Sequence, residues 1–306
     1  MINRRTFLKN TAGAGALLAF GDTSLAAILD GPDFARVSIL HTNDVHSRIE
    51  PFPMDGSRNQ GLGGAARRAW MISELRQKHE HVLLLDSGDM LQGTPYFNVF
   101  GGELEFKLMS KMGYDAATMG NHDFDGGLEP LAQHLKYANF PLLVANYDFT
   151  GTAMEGKTKE YAVFERAGIR IGVFGLGIEL DGLVPKALYG DTVYANPVPV
   201  GNRIAATLRN DLRCDYIICL SHLGYKYENT KVSDHVLARE TAEIDLILGG
   251  HTHTFLKKPD VVANKAGKPV MITQAGWAGI LLGHVELVFE RNRQARCVSC
   301  RNLLIS

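Results

Sequence analysis

Five short polar turns gather the residues of this chain best suited to bind a cation or move a proton. They are Asp44-Val45-His46, Gly88-Asp89, Gly120-Asn121-His122-Asp123, Ser221-His222 and Gly249-Gly250-His251-Thr252-His253. Each follows an apolar run of strand length, and open α/β sheets present their ligand sites beyond the carboxyl ends of strands. One such turn would carry little weight; five, each supplying Asp, Asn or His, describe a single site. Carboxylate, imidazole and amide oxygen without thiolate suit Zn²⁺, Mn²⁺ or Fe²⁺ and argue against a structural zinc cage. Asp44, His46, Asp89, Asn121, His222, His251 and His253 are too many ligands for one four-coordinate ion. Two ions about 3.5–4 Å apart need a shared carboxylate, and Asp89 is the natural bridge because Gly88 lets the backbone come close. Such a pair can lower the pKa of a bridging water and clamp phosphate oxygens, which phosphoester hydrolysis requires.

The elements that must position these turns alternate in type. Strand-like runs are predicted at Val37 to His41, His81 to Leu85, Ala116 to Met119 and Pro141 to Ala145 in the first half. The second half repeats the pattern at Ile169 to Gly175, Tyr216 to Leu220, Leu246 to Leu248, Val270 to Thr273 and Gly283 to Phe289. Helical spacing covers Ala65 to Lys78, Glu103 to Lys111, Leu128 to Tyr137, Gly201 to Asp211 and Lys231 to Thr241. In the first helix, Ala66, Trp70 and Leu75 form the apolar side and Arg67, Arg68 and Arg76 cover the other, so Trp70 is assigned to the core. Near-continuous apolar strands separated by helices indicate sheets covered on their faces, an α/β protein of one compact domain.

Asp44-x-His46, Gly88-Asp89, Gly120-Asn121-His122-Asp123, His222 and Gly250-His251-x-His253 resemble, in order and complete, the calcineurin-like metallophosphoesterase signature. HTNDVH, DSGDMLQGTP and MGNHDFDGG resemble more closely its bacterial periplasmic 5′-nucleotidase/UDP-sugar hydrolase branch, over roughly residues 37 to 290. Gly88-Asp89-Met90-Leu91-Gln92 matches that branch and not the Ser/Thr protein phosphatases. The resemblance implies a four-layer α-β-β-α sandwich and a dinuclear centre of Zn, Mn, Fe or Co. It places Asp44, His46, Asp89 and His253 on the first ion, and Asp89, Asn121, His222 and His251 on the second. It puts His122 at the leaving group, oriented by Asp125; the spacing agrees, since a short turn returns Asp125 to the His122 ring. The expected activity is phosphomonoester hydrolysis, foremost of 5′-nucleotides, by a metal-bridging hydroxide attacking phosphorus. Phosphodiester or pyrophosphate hydrolysis, as on cyclic nucleotides or UDP-sugars, is the alternative. A metal-binding, non-catalytic subunit of a nucleotidase complex is an alternative of another class. Relatives of this branch usually continue into a second domain that stacks the nucleobase, whereas this chain stops at Ser306. A separately encoded specificity domain is therefore the expected partner.

Residues 1–26 resemble a twin-arginine export signal: Arg4-Arg5-Thr6-Phe7-Leu8-Lys9, a short apolar stretch, then Ser24-Leu25-Ala26. Cleavage near Ala26, a linker over 27–35 and a catalytic domain over 36–306 are expected, with a periplasmic or exported destination. The 306 residues are 45% hydrophobic and 21% charged with a net charge of −1, which excludes a disordered chain or a polycation for nucleic-acid polymer. No uncharged apolar run is long enough to span a bilayer, and with Cys214 the first cysteine no lipid anchor follows the signal. Cys214, Cys219, Cys297 and Cys300 are too few for a disulfide framework; a single disulfide remains open. His41 reads as packed or supporting, and Asp86 and Asp123 as loop or supporting carboxylates. His79, His81, His134, His235 and His284 read as structural. Gly61-Leu62-Gly63-Gly64 begins the next helix and is no phosphate fingerprint. Trp277, in a loop near the last ligands, is a candidate substrate-lining residue.

Overall fold

The computed structural model describes residues 34–290 and 294–306, so the expected export signal and residues 27–33 of the linker lie outside them. β1 (Phe34–Thr42) shows how one strand serves two cores. Successive side chains point to opposite faces, sending Val37 and Ile39 to one apolar cluster and Leu40 to another. β2 (Val82–Asp86) does the same with Leu83 and Leu85 against Leu84. With β3 (Ala116–Ala117), β12 (Leu281–Glu290) and β13 (Ala295–Leu304) they form a sheet ordered β13-β12-β1-β2-β3.

The second sheet uses β5 (Tyr161–Arg166), β6 (Ile169–Leu176), β8 (Tyr216–Ser221), β9 (Leu246–Gly249), β10 (Asp260–Ala263) and β11 (Pro269–Thr273), ordered β10-β11-β9-β8-β6-β5. Ile171, Val173, Ile218, Leu220 and Leu248 pack on the β1 and β2 residues facing them, so the sheets lie face to face. Outside the first sheet lie α1 (Ala65–Lys78), α2 (Pro95–Phe100), α3 (Glu103–Met112) and α4 (Leu128–His134). After the short α5 (Lys186–Tyr189), α6 (Pro197–Ala206) and α7 (Asp234–Glu240) cover the second. β4 (Tyr147–Asp148) and β7 (Val193–Tyr194) pair as a small separate ladder. The result is a mixed α/β domain of four layers. Among the described residues no helix is long and apolar enough to cross a membrane.

Several expectations need correcting. α1 buries Ala65, Arg68, Ile72 and Leu75, and Trp70 is 64% exposed. The true inward stripe runs through an arginine, which shifts the face and turns Ala66 and Trp70 outward. The expected strand over Pro141 to Ala145 is reduced to isolated bridges at Leu142 and Leu143, and β3 stops at Ala117. The helix expected from Lys231 begins at Asp234, where Ser233 caps it by accepting from Val236 N. All four cysteines are free thiols.

Candidate metal centre and active site

Parallel pairing levels the strand ends that carry the site: Thr42 pairs with Asp86, and Ser221 with Gly249. The loops after β1, β2, β8 and β9 thus start from one rim. Asp44, His46, Asp89, His251 and His253 all have φ between 50° and 70°, a region non-glycine residues seldom occupy. Such strain persists only where surrounding bonds over-determine it, and it concentrates at functional sites. Two glycines allow the loops to meet. At Gly88, φ +88°, a Cβ would lie 2.6 Å from Gly120 N; at Gly120 it would lie 2.2 Å from Asp89 Oδ1.

The candidate ligands fall into two groups, Asp44/His46/His253 and Asp89/His222/His251, each with its ligand atoms within 4.8 Å of one another. In the first, His46 Nε2 is 3.0 Å from His253 Nε2, and Asp44 Oδ1 is 3.3 Å from His253 Nε2. Asp89 Oδ2 lies between the groups, 3.1 Å from His222 Nε2 and 3.8 Å from His46 Nε2. Asn121 Oδ1 is 2.9 Å from His251 Nδ1, at the edge of the second group. His222 supplies the sharpest test of fit. Its Nδ1 donates to Ser87 O at 2.7 Å, which fixes the tautomer, and its fully buried Nε2 has no hydrogen-bond partner. A ring nitrogen so aimed at a carboxylate-rich space is one that a divalent cation would take in place of a proton.

The charges mark the same centre. Burial works to keep His222 neutral, but the Asp89 and Asp44 carboxylates outweigh it and raise the imidazole to about 10, so a divalent cation there would replace the proton those carboxylates otherwise hold on the ring. Asp89 is held below the ordinary carboxylate range, against its burial, chiefly by His222. Burial lowers His251 to about 4, and lowers His46 against the pull of Asp89 and Asp44, leaving both neutral as ligation needs.

Beside the first group opens a cleft of about 220 Å³ lined by His46, Arg48, Gln92, His122, His253 and Trp277. His122 Nδ1 meets Asp125 Oδ2 at 2.8 Å, so the ring is oriented and its other nitrogen is left for chemistry. Burial opposes protonation, yet the Asp125 hydrogen bond and the Asp89 charge raise His122 above its ordinary value. Trp277 stacks on His253 with centroids 5.6 Å apart and planes 6° from parallel. All ten residues singled out above come together at this rim.

Sequence reasoning passed over Asn43 and Gln274 and gave Asp123 only its general supporting role. Asp123 is a cradle: its Oδ1 accepts from Met90 N and Leu91 N at 2.9 and 3.0 Å, and its Oδ2 from Asp89 N and Gly120 N at 3.0 and 2.8 Å. Asn43 ties the Asp44 carboxylate (2.6 Å) to Gly276 O (2.6 Å) and Ala275 N (2.8 Å). Gln274 donates to Gly250 O at 2.7 Å. Their types and adjacency to ligands were the available signals. Asp86, by contrast, is a loop carboxylate as expected, accepting from Gly88 N and Thr42 Oγ1. His41 is packed, with neither ring nitrogen partnered, and burial lowers it to about 3.

Comparison with known proteins follows the same line. Residues 37–255 match the family described as calcineurin-like phosphoesterase. Snake venom 5′-nucleotidase of Crotalus adamanteus is 35% identical over 279 residues, covering 83% of this chain and 45% of the relative. The 5′-nucleotidase of Bos taurus is 32% identical over 280 residues, covering 83% and 46%. The crystal structure of a 5′-nucleotidase precursor from Thermus thermophilus superposes with a TM-score of 0.79 at 30% identity, covering 88% of this chain and 54% of that one. The chain spans about half the length of these relatives. With two ligand groups flanking Asp89 Oδ2 at one rim and a family match over most of its length, the chain belongs to the calcineurin-like phosphoesterases and is homologous to the 5′-nucleotidases.

Proposed function

We propose that this chain hydrolyses phosphate monoesters, 5′-nucleotides foremost, at a dinuclear metal centre. The observation that carries the reading is Asp89 Oδ2, set between two imidazole–carboxylate groups beside a cleft that also holds the His122–Asp125 pair. Asp44, His46 and His253 would hold one ion, His222, His251 and Asn121 the other, with Asp89 available to both; Zn²⁺, Mn²⁺, Fe²⁺ and Co²⁺ all suit this donor set. Two divalent cations held there would supply Lewis acidity, to lower the pKa of a water and to offset the charge on the phosphate oxygens. The chain's own residues do the rest. His122 donates a proton to the departing alkoxide, and Asp125 at Nδ1 keeps the ring turned for it. Trp277 forms a wall of the leaving-group cleft, held flat against His253.

Residues 1–26 act as a twin-arginine export signal and 27–35 as a linker to the catalytic domain over 36–306, which makes the enzyme periplasmic or exported. Replacing Arg4 and Arg5 by lysine should leave active, uncleaved protein inside the cell; normal export of that variant rejects this assignment. The metal core grips phosphate alike in every substrate, and uniform binding does not discriminate. Selectivity for a base therefore comes from protein surface outside this catalytic domain, docked at the cleft mouth. Kinetics on the purified chain with AMP, ribose 5-phosphate, nitrophenyl phosphate and a cyclic nucleotide test both ideas. Turnover of the monoesters with little base preference is expected. Failure on all monoesters defeats the activity, and a strong preference for AMP over ribose 5-phosphate defeats the need for a partner.

A further inference from the structure

The inward face of α1 leads into an unassigned site. Arg68 is turned inward and only 3% exposed, and Glu105 of α3 is 4% exposed. Nε and Nη1 of Arg68 and Oε2 of Glu105 have no hydrogen-bond partner. Leaving charged groups buried and unpaired is costly, and such groups in native proteins are usually answered by something bound. Both residues line one cavity of about 10 Å³, shared with Val45, Ser47, Met90 and Tyr114. That is the room one water needs, and a buried water wants two to four polar partners. The neighbouring Tyr114 hydroxyl is already engaged with Thr42 Oγ1 at 2.7 Å.

The cavity lies beneath the ligand loop. Glu105 Oε1 accepts from Ser47 Oγ, directly after His46. Ser47 also donates its N–H to Met90 O at 2.9 Å, and its carbonyl accepts from Thr94 Oγ1 at 2.7 Å. Asp44, His46 and Ser47 have φ of 50°, 51° and 53°, a run that L residues rarely hold unaided. Arg68 braces the other side. Its Nη1 occupies the space a side chain at Gly279 would need, within 2.2 Å of where a Cβ would stand, and the adjoining Ala278 N donates to Asp44 O at 2.7 Å.

We propose that a buried water bridges Arg68 and Glu105, and that the two act through Ser47 and Ala278 as positioning residues for the Asp44–His46 side of the metal centre. The positioning half rests on the dinuclear reading; the hydration half does not. In a high-resolution crystal structure of the full chain, one solvent peak should stand within hydrogen-bond reach of both side chains. A dry cavity or a direct Arg68–Glu105 contact overturns the bridge. Mn²⁺ titration of chelator-stripped protein tests the positioning, with Asp44→Ala marking which binding step belongs to the first group. Glu105→Gln should weaken that step by about tenfold, the size seen when outer partners of metal ligands are lost, and leave the other within about threefold. Saturating Mn²⁺ should restore its kcat, which a collapsed site would not allow. Ser47→Ala, which leaves α1 and α3 untouched, should act in the same direction should Glu105→Gln fail to fold. Equal weakening of both steps, or of neither, overturns the assignment whether or not the protein proves to be a nucleotidase.

Discussion

Replacing Asp123 by asparagine should loosen the loops that carry Asp89 and Asn121 without changing a single proposed ligand. The carboxylate accepts four backbone N–H groups, two on each oxygen, from Asp89, Met90, Leu91 and Gly120. Asparagine keeps one oxygen and turns an NH₂ toward the other two donors, leaving two buried N–H groups unsatisfied. At about 1–3 kcal/mol each the loss is about 2–6 kcal/mol, and relieving a buried charge offsets part of it. A net of about 3 kcal/mol lowers the melting midpoint by roughly 6–12 °C in a domain of this size. Burial, then the Asp89 charge, pushes Asp123 up to about 7, and the N–H donors pull it down. A cation over Asp89 cancels the second upward cause. The measurement therefore belongs to metal-loaded protein at pH 8, where Asp123 is ionised, by calorimetry alongside metal titration. A variant that melts within about a degree of the parent, with unchanged metal affinity, would refute the cradle.

His122→Ala should keep both metals and lose on the order of 10²–10⁴ in kcat, with a smaller loss on nitrophenyl phosphate, whose leaving group hardly needs a proton. Equal losses on good and poor leaving groups would mean that the ring only positions substrate. Asp234, fully buried with Ser221 Oγ on one oxygen, is raised by burial from 3.8 to about 8. The native state then holds a proton that the unfolded chain releases, so this group's contribution is complete below about pH 4 and falls away as pH rises towards 8. Denaturant unfolding from pH 4 to 8 should show a shallower loss of stability in Asp234→Asn than in the parent; parallel curves would remove Asp234 from the account.

The site was legible because its chemistry is carried by residue types that rarely cluster after strands. Asp44, His46, Asp89, His222, His251 and His253 stand out on type and place alone. Asp125 was legible too, since a three-residue spacing returns it to His122. Asp123 was legible as a supporting carboxylate, but the four N–H groups that converge on it from two loops were not. Arg68 and Trp70 were exchanged for a related reason. Periodicity sorts residues by polarity, and here an arginine faces inward towards a buried glutamate while a tryptophan faces solvent. The α/β class followed from near-continuous apolar strands separated by helices and the four layers from the family resemblance, but short pieces such as α2, β4 and β7 carry too few residues for a period to register.

Metal stoichiometry against activity tests the central claim most directly. Chelator-stripped protein, reloaded stepwise with Mn²⁺ or Zn²⁺, should bind two equivalents per chain, with phosphomonoesterase activity rising as the second is taken up. Asp89→Ala, lacking the shared carboxylate, should retain neither fully and show no turnover. Full activity with one equivalent, or two fully occupied sites in Asp89→Ala, would contradict the account.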